Sequence, residues 1–138
     1  MAAMAPISAF AADAAVKING VQLQDGVPVA CGEGTAVLDQ QQKTLTLTNA
    51  TITQEAATPA LDIRGGELCV VLVGENKIIT GNQRAIYASN IDLVISGSEL
   101  DSLVVQTDAD AIQVDKGNLT IDGCKVQINS TTWGGITC

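Results

Sequence analysis

Residues 93–118 read LVISGSELDSLVVQTDADAIQVDKGN, and this stretch contains three short runs in which apolar and polar residues alternate. The runs begin at Leu93, Leu103 and Ile112, and they are separated by residues such as Gly, Ser, Asp and Asn. Alternation with a period of two is typical of a strand with one buried face, and Gly and Asn accept the backbone angles of sharp turns. The stretch therefore predicts three short strands separated by turns.

The same pattern recurs along the chain with a period near 25 residues. Similar stretches open at Leu45, Leu68, Leu93 and Leu119, at spacings of 23, 25 and 26 residues. A second marker, Ala or Gly followed by Leu or Ile, begins at residues 60, 85, 111 and 135 and keeps step with the first. Strands and turns that recur with such a period predict a solenoid in which each repeat forms one coil.

The composition agrees with stacked coils. Aromatic residues make up 2% of the chain, whereas Ile, Val and Thr account for 39 of its 138 residues, and β-branched residues favour strands. Stacking at the strand spacing of about 4.8 Å would place aliphatic side chains over one another inside the coils. The segments 16–23 and 36–39 resemble parts of an additional coil. We therefore predict an all-β solenoid of about 4–5 coils, with three short strands per coil, over residues 16–138.

Charge and residue types exclude several classes of function. The net charge is −8 and no basic run is present, which makes nucleic acid a poor partner. Histidine is absent, which excludes histidine-based catalytic triads and the common zinc sites. No segment approaches the roughly 18 apolar residues of a transmembrane helix. We therefore expect neither a nucleic-acid partner nor a transmembrane segment.

The N-terminal segment and the cysteines bear on the compartment. Residues 9–11 (AFA) have the small-x-small form that signal peptidase cleaves, although a basic start and a long apolar run are missing. Residues 1–15 are therefore either the remnant of a secretion signal or an Ala-rich arm or cap. Cys31, Cys69, Cys124 and Cys138 lack CxxC spacing, so they either form disulfides, in one of three pairings, or include small buried apolar residues. We expect a secreted or cell-surface protein.

The recurring cycle of an LTI-like strand, a turn, a short apolar strand, an A-I-x-V strand and a second turn resembles a known family. These are the small right-handed parallel β-helix proteins of bacterial cell surfaces with carbohydrate-binding domains, in the pectate-lyase-like superfamily. The resemblance covers about residues 16–138, and this chain is shorter than a typical member. It implies a right-handed parallel β-helix that binds plant or cell-surface polysaccharide, including acidic pectin-like chains bridged by calcium.

The third strand of each coil supplies the predicted sugar-binding residues. Its outward positions should carry a column of small residues, Ala60, Ala85, Ala111 and Gly135, beside larger polar residues, and so form a shallow strip. An extended polysaccharide could lie there, with aromatic rings against sugar faces and with amide and carboxyl groups on hydroxyls. Alternatively, the small residues only allow a flat sheet to stack. The predicted ligand-binding residues are Asp62, Tyr87, Gln113 and Trp133.

Two groups of acidic residues are candidates for calcium binding. Asp108, Asp110 and Asp115 surround one third strand, and Glu67 and Asp92 stack beside the first strands, in a column that should also contain Thr44 and Asn118. Calcium collects carboxylate, amide and backbone oxygens in flexible geometry. The alternative is the solvated face of an acidic protein.

Catalysis is not expected from this sequence. Glycoside hydrolysis needs a carboxylic acid and a second carboxylate at a fixed separation. The polygalacturonases of the same superfamily also use a Gly-His pair and a basic substrate clamp, whereas this chain has no His and only two Arg. A pectate-lyase-like enzyme is the second alternative; it would need calcium and a Lys or Arg base, for which Arg84 or Lys116 can be nominated.

Self-assembly is the alternative function. The end coils of a solenoid expose strand edges and apolar core unless they are capped, and no charged or Pro-rich cap follows Asn129. Head-to-tail stacking would then produce filaments, because the contact does not close on itself. Under this hypothesis Cys31 and Cys138 would meet across the junction between two copies.

Overall fold

The computed structural model describes residues 13–131 and 135–138, and this part of the chain consists of strands and turns without a helix. Four strands precede the repeats: β1 (Ala15–Ile18), β2 (Val21–Gln22), β3 (Val29–Cys31) and β4 (Gly34–Asp39). Coil 1 contains β5 (Thr44–Thr48), β6 (Thr51–Thr53) and β7 (Leu61–Arg64), and coil 2 contains β8 (Glu67–Val73), β9 (Glu75–Ile79) and β10 (Ile86–Ser89). Coil 3 contains β11 (Asp92–Ser96), β12 (Ser102–Thr107) and β13 (Ile112–Asp115), and coil 4 contains β14 (Leu119–Asp122), β15 (Lys125–Ser130) and β16 (Ile136–Thr137).

Equivalent strands of successive coils pair side by side and form three sheets. Sheet A contains the third strands in the order β16-β13-β10-β7 and continues into β1 and β2. Sheet B contains the first strands in the order β14-β11-β8-β5 and continues into β4 and β3, whereas sheet C contains the second strands in the order β15-β12-β9-β6. All strand pairs between coils are parallel. The predicted all-β parallel solenoid with three strands per coil is confirmed.

The core consists of aliphatic side chains stacked from coil to coil. In sheet B, Leu68, Leu93 and Leu119 are in register, and Val70 is in register with Ile95. Leu93 and Ile95 are completely buried, as the alternation predicts. Full burial of one such side chain contributes about 1.5–3 kcal/mol of transfer free energy. Ladders of this kind fill the narrow interior without large rings, which explains the near absence of aromatic residues.

The corners between strands use residues that tolerate a positive φ angle. Asn49, Gly74 and Gly123 have φ angles of 46°, 76° and 79° at the corner after the first strand. Asn90 and Lys116 have φ angles of 56° and 58° at the corner after the third strand. Gly and Asn are the residues that adopt this region most readily, so the predicted corners are confirmed at Asn49, Gly74, Asn90 and Gly123, whereas Lys116 is an exception to this preference.

The N-terminal strands form a cap, so the predicted start of a fifth coil is wrong. Strand β1 pairs antiparallel with β2 and β7, and β4 pairs antiparallel with β3 and β5. Antiparallel and parallel strands share the same period of two, so alternation alone does not distinguish a cap from a coil. The described part of the cap adds two strands to sheet A, two to sheet B and none to sheet C.

The predicted register between coils 1 and 2 is wrong by two residues. Leu45 lies opposite Val70, and not opposite Leu68. A shift of two residues keeps every side chain on the same face of its strand, so the apolar pattern fits both registers. In the observed register Leu45, Val70, Ile95 and Ile121 are in line, at spacings of 25, 25 and 26 residues.

Coil 4 is more exposed than the coils before it. Ile121 and Ile136 occupy the inward positions that the repeat predicts, yet they are 40% and 46% exposed. They pair in register with Ile95 and Ile112, which are completely buried. Burial therefore depends on a neighbouring coil on both sides.

All four cysteines are free thiols in the fold. Cys31 is buried in the cap, Cys69 and Cys124 are partly buried, and Cys138 is exposed. Burial raises the pKa of the Cys31 thiol, which disfavours the reactive thiolate.

In the part of the chain that the structure describes, no helix is long and apolar enough to cross a lipid bilayer.

Candidate functional site

Three of the predicted ligand-binding residues lie in one row across sheet A. Tyr87 on β10 is opposite Asp62 on β7 and opposite Gln113 on β13. The row continues to Lys17 on β1 and to Thr137 on β16. Because equivalent strands of a parallel sheet lie about 4.8 Å apart, the row presents one side chain per coil at a regular interval.

Both arginines of the chain approach the ring of Tyr87. The guanidinium carbon of Arg64 lies 5.5 Å from the ring centroid, and that of Arg84 lies 5.0 Å from it. Both distances are within the range of a cation–π interaction, which holds the ring and the guanidinium groups together. Arg64 also forms a salt bridge with Asp62, at 3.0 Å between Nε and Oδ1. The two cations therefore frame the tyrosine on the outer face of sheet A.

A chain of hydrogen bonds connects this cluster to Asp115. Arg84 Nε donates to Gln113 Oε1, and Gln113 Nε2 donates to Asp115 Oδ1 at 3.0 Å. The Tyr87 hydroxyl donates to Asp115 Oδ2 at 2.7 Å. The hydrogen bonds from Gln113 and Tyr87 lower the pKa of Asp115, because they favour its ionised form. Asp115 therefore fixes the orientation of both side chains.

The cluster has more unused donors than unused acceptors. Each carboxylate oxygen of Asp62 and Asp115 already accepts a hydrogen bond, and so does Gln113 Oε1. Arginine has five N–H donors, of which Arg64 uses two and Arg84 uses one within the described residues. The free guanidinium N–H groups can donate to ligand oxygens, such as hydroxyl, ring or carboxylate oxygens. We call Asp62, Arg64, Arg84, Tyr87, Gln113 and Asp115 the sheet A cluster.

The predicted column of small residues does not belong to this surface. Ala60, Ala85 and Ala111 are completely buried, so their predicted outward orientation is wrong. Each alanine is followed by a buried Leu or Ile at the start of a third strand, where the chain bends around a corner and two successive side chains face the interior. A Cβ atom at Gly135 would lie 3.1 Å from Ile128, so this position also faces the interior.

The carboxylates predicted to bind calcium are not brought together. Asp115 belongs to the sheet A cluster, and Asp108 lies in the loop before β13 and accepts a hydrogen bond from Thr131. Asp110, in the same loop, makes no side-chain hydrogen bond among the described residues. Over residues 13–131 and 135–138, no group of three His, Cys, Asp or Glu side chains is arranged to hold a metal ion.

The second acidic column is shorter than predicted. Glu67 and Asp92 lie opposite each other on sheet B, and Asp92 accepts two hydrogen bonds from Asn118. Thr44 lies opposite Cys69 and is therefore outside this column, because of the two-residue register difference. The column thus holds two carboxylates and one amide, which is fewer oxygen ligands than calcium usually takes from a protein.

Three members of the sheet A cluster were not predicted to bind sugar: Asp115, which was predicted to bind calcium, and both arginines. One predicted residue, Trp133, cannot be placed. Arg64 and Arg84 were absent from the predicted ligand-binding set, although they are the only arginines in the sequence and each lies near a third strand. Their position beside the third strands is the sequence signal that could have identified them as members of the site. Trp133 lies outside the described residues.

Comparisons with family models, with curated proteins and with solved structures give no match to this chain.

Proposed function

We propose that the protein is a non-catalytic module that binds extracellular polysaccharide along the outer face of sheet A. The observation that supports this proposal is the row of Asp62, Tyr87 and Gln113, framed by Arg64 and Arg84. A linear polysaccharide repeats its hydroxyl and ring oxygens along its length, and the row on sheet A presents one outward side chain per coil. Such a ligand can therefore meet a side chain at each coil.

The chemistry of the cluster suits sugar oxygens better than a flat apolar ligand. Two guanidinium groups already approach the ring of Tyr87, so the ring is not a free stacking platform. Recognition would depend on N–H donors from Arg64 and Arg84 and on the edge of the tyrosine. Such donors suit neutral glycans and acidic, pectin-like glycans alike.

The test is affinity electrophoresis of the purified chain in gels that contain polygalacturonate, xylan or a soluble glucan. We expect retarded migration in at least one gel, and Tyr87→Ala should weaken the retardation because it removes the ring that both arginines contact. Thr120→Ala, an exposed change on the outer face of sheet B, is the matched control and should migrate like the wild type. Unretarded migration of the wild type in all gels would refute the proposal.

Calcium and catalysis are tested with the same protein. Gels run with a calcium chelator separate direct binding from calcium-bridged binding, and we expect retardation to persist with the chelator. Incubation with polygalacturonate should give no product that absorbs in the ultraviolet, because the expected module does not cleave its ligand. An ultraviolet-absorbing unsaturated product would instead indicate a lyase.

Head-to-tail stacking into fibres receives less support from the fold than polysaccharide binding. Stacking requires that all three sheets continue from one copy into the next. At the N-terminal end of the described residues, sheets A and B extend two strands beyond sheet C, so the edge strands there lie at different levels. Coil 4 has one strand in each sheet, so its edges do not fit the uneven edges of the three sheets at the N-terminal end. We therefore propose no second function.

A further inference from the structure

A polar cavity lies beside the sheet A cluster, between the loops that precede β10 and β13. It has a volume of about 430 Å³ and is lined by Asn82, Gln83, Arg84, Ala109 and Asp110. This volume is near the lower end of the range for small-molecule sites, which suits one or two sugar units rather than a long chain segment. We call it the loop cavity.

The side chains of the loop cavity have unused hydrogen-bonding capacity. Among the described residues, the side chains of Asn82, Gln83 and Asp110 make no hydrogen bond, whereas each side-chain oxygen of Asp62, Gln113 and Asp115 in the sheet A cluster already accepts one. Two amides and one carboxylate therefore face an open cavity with free donors and acceptors. Arg84 lines the cavity and also reaches the sheet A cluster, so it connects the two surfaces.

Buried threonines hold the two loops in place. Thr80 and Thr107 are 7% and 3% exposed, and the Thr80 hydroxyl donates to Thr107 Oγ1 at 2.6 Å. The Thr107 hydroxyl donates to the backbone oxygen of Gln83 at 3.2 Å and accepts from the N–H of Ala109 at 3.0 Å. Both loops are therefore fixed from beneath, and the cavity is formed before any ligand arrives, which lowers the entropic cost of binding.

The charges around the cavity select among ligands. Arg84 and Asp110 have opposite charges, so the cavity is close to neutral overall. Arg84 disfavours a calcium ion, and Asp110 disfavours the carboxylate of an acidic sugar. A neutral sugar ring offers several adjacent hydroxyls, which can donate to Asp110 and accept from Arg84 and from the amides. We infer that the loop cavity is a subsite that binds one neutral sugar unit, with Asp110 and Arg84 on its hydroxyls.

This inference rests on the proposed function, since it names the sugar unit that the polysaccharide would place there. The experiment is NMR titration of the ¹⁵N-labelled full chain with glucose, galactose, mannose and galacturonate. We expect one neutral sugar to shift the side-chain amide signals of Asn82 and Gln83 in a saturable way. Galacturonate should shift them less at the same concentration.

The variant Asp110→Asn keeps the shape of the side chain and removes its charge. It should weaken binding of the neutral sugar by about fivefold, because the amide oxygen of Asn still accepts a hydrogen bond, whereas a hydrogen bond to a charged oxygen is roughly twice as strong. Glu99→Gln removes the same charge from the exposed loop between β11 and β12 and should leave the affinity unchanged. Since the Asp110 side chain has no hydrogen bond to lose among the described residues, both variants should fold.

Three results would overturn the inference: no shift of the Asn82 and Gln83 amides, wild-type affinity of Asp110→Asn, or stronger binding of galacturonate. If the wild type is still retarded by a polysaccharide in any of these cases, the proposed function stands without the subsite. If no polysaccharide retards the wild type, the proposed function itself fails.

Discussion

Single residues fix the corners of the coils through specific hydrogen bonds. Asp101 follows the first strand of coil 3, and its carboxylate accepts hydrogen bonds from the N–H and hydroxyl of Ser98 at 2.7 and 2.9 Å. It also accepts the N–H of Gly74 from the coil before, at 2.8 Å. One side chain thus stabilises its own turn and ties two coils together. In the same way, Asn76 accepts the N–H of Ala50 at 2.8 Å.

Asp101 should make stability depend on pH. The hydrogen bonds from Ser98 and Gly74 lower its pKa in the folded state. Ionised Asp101 therefore stabilises the fold above the unfolded pKa, and this contribution is lost as the pH falls through the folded pKa. Asp101→Asn should reduce the loss of stability in acid, measured as urea midpoints between about pH 5 and pH 2. Glu99→Gln should retain the wild-type pH dependence, and an unchanged profile for Asp101→Asn would contradict this account.

Strands and corners depend on close contact between successive coils. Equivalent strands of successive coils pair in register, so the backbone of one coil lies directly against the backbone of the next. Gly117, between β13 and β14, lies against the backbone of Ile91, and a Cβ atom there would overlap the Ile91 carbonyl oxygen and lie 2.6 Å from its carbonyl carbon. The neighbouring backbone is itself held by the bond from Leu93 N–H to the Asn118 oxygen at 2.8 Å. Neither side can move freely.

Gly117→Ala should therefore destabilise the stack. We expect a loss of about 1–3 kcal/mol in the free energy of unfolding, the usual range for overpacking, measured by urea denaturation. Gly81→Ala is the control, because its Cβ would meet its nearest neighbour, Gln54, at 3.8 Å and its φ angle is not positive. Its effect should stay within about 0.5 kcal/mol. Equal effects of the two substitutions would show that the close contact at Gly117 is not important.

At the scale of the whole molecule, net charge opposes compactness. The chain has a charge of −8, and Glu67 stacks on Asp92 across neighbouring coils of sheet B. Opposed like charges on paired strands are destabilising, and salt screens them over a distance of about 8 Å at physiological ionic strength. The repulsion is distributed over the surface, whereas the aliphatic ladders hold the interior together.

The melting temperature should therefore rise with ionic strength. Added sodium chloride screens the repulsion, and calcium chloride at equal ionic strength should raise the melting temperature by a similar amount, since no described group of three acidic or thiol side chains is arranged for a metal ion. Thermal unfolding followed by circular dichroism measures both effects. A larger rise with calcium would support one of the two calcium sites that the sequence predicts, and loss of this difference in Asp92→Asn would assign the site to the column of Glu67 and Asp92.

Much of the candidate site could be predicted, because the repeat fixes which positions are equivalent. Asp62, Tyr87 and Gln113 follow the same marker in successive coils, so the sequence places them in one row. Arg64 and Arg84 were missed because long side chains reach across the surface in directions that spacing does not specify. The loop cavity was missed because its residues precede the strands, where the coils differ in sequence.

The N-terminal cap contains a local sequence signal for its antiparallel hairpin. Asn19 and Gly20 have φ angles of 52° and 79°, and an Asn-Gly pair between two short strands is a strong indicator of a tight hairpin. The pair predicts the antiparallel return from β1 to β2 that the structure contains. Alternation of apolar residues predicts the strands of the cap but does not depend on strand direction, so it predicts a further coil equally well.

The sequence by itself determined the all-β solenoid, its period, its aliphatic interior and the row on sheet A, because side-chain alternation and turn residues are local properties that repeat in every coil. Only the tertiary structure decided the register between coils 1 and 2, the antiparallel cap and the meeting of both arginines at Tyr87. These features depend on contacts between residues distant in sequence. A two-residue shift or a reversed strand leaves the local pattern unchanged, so packing and hydrogen bonds between coils select among the alternatives.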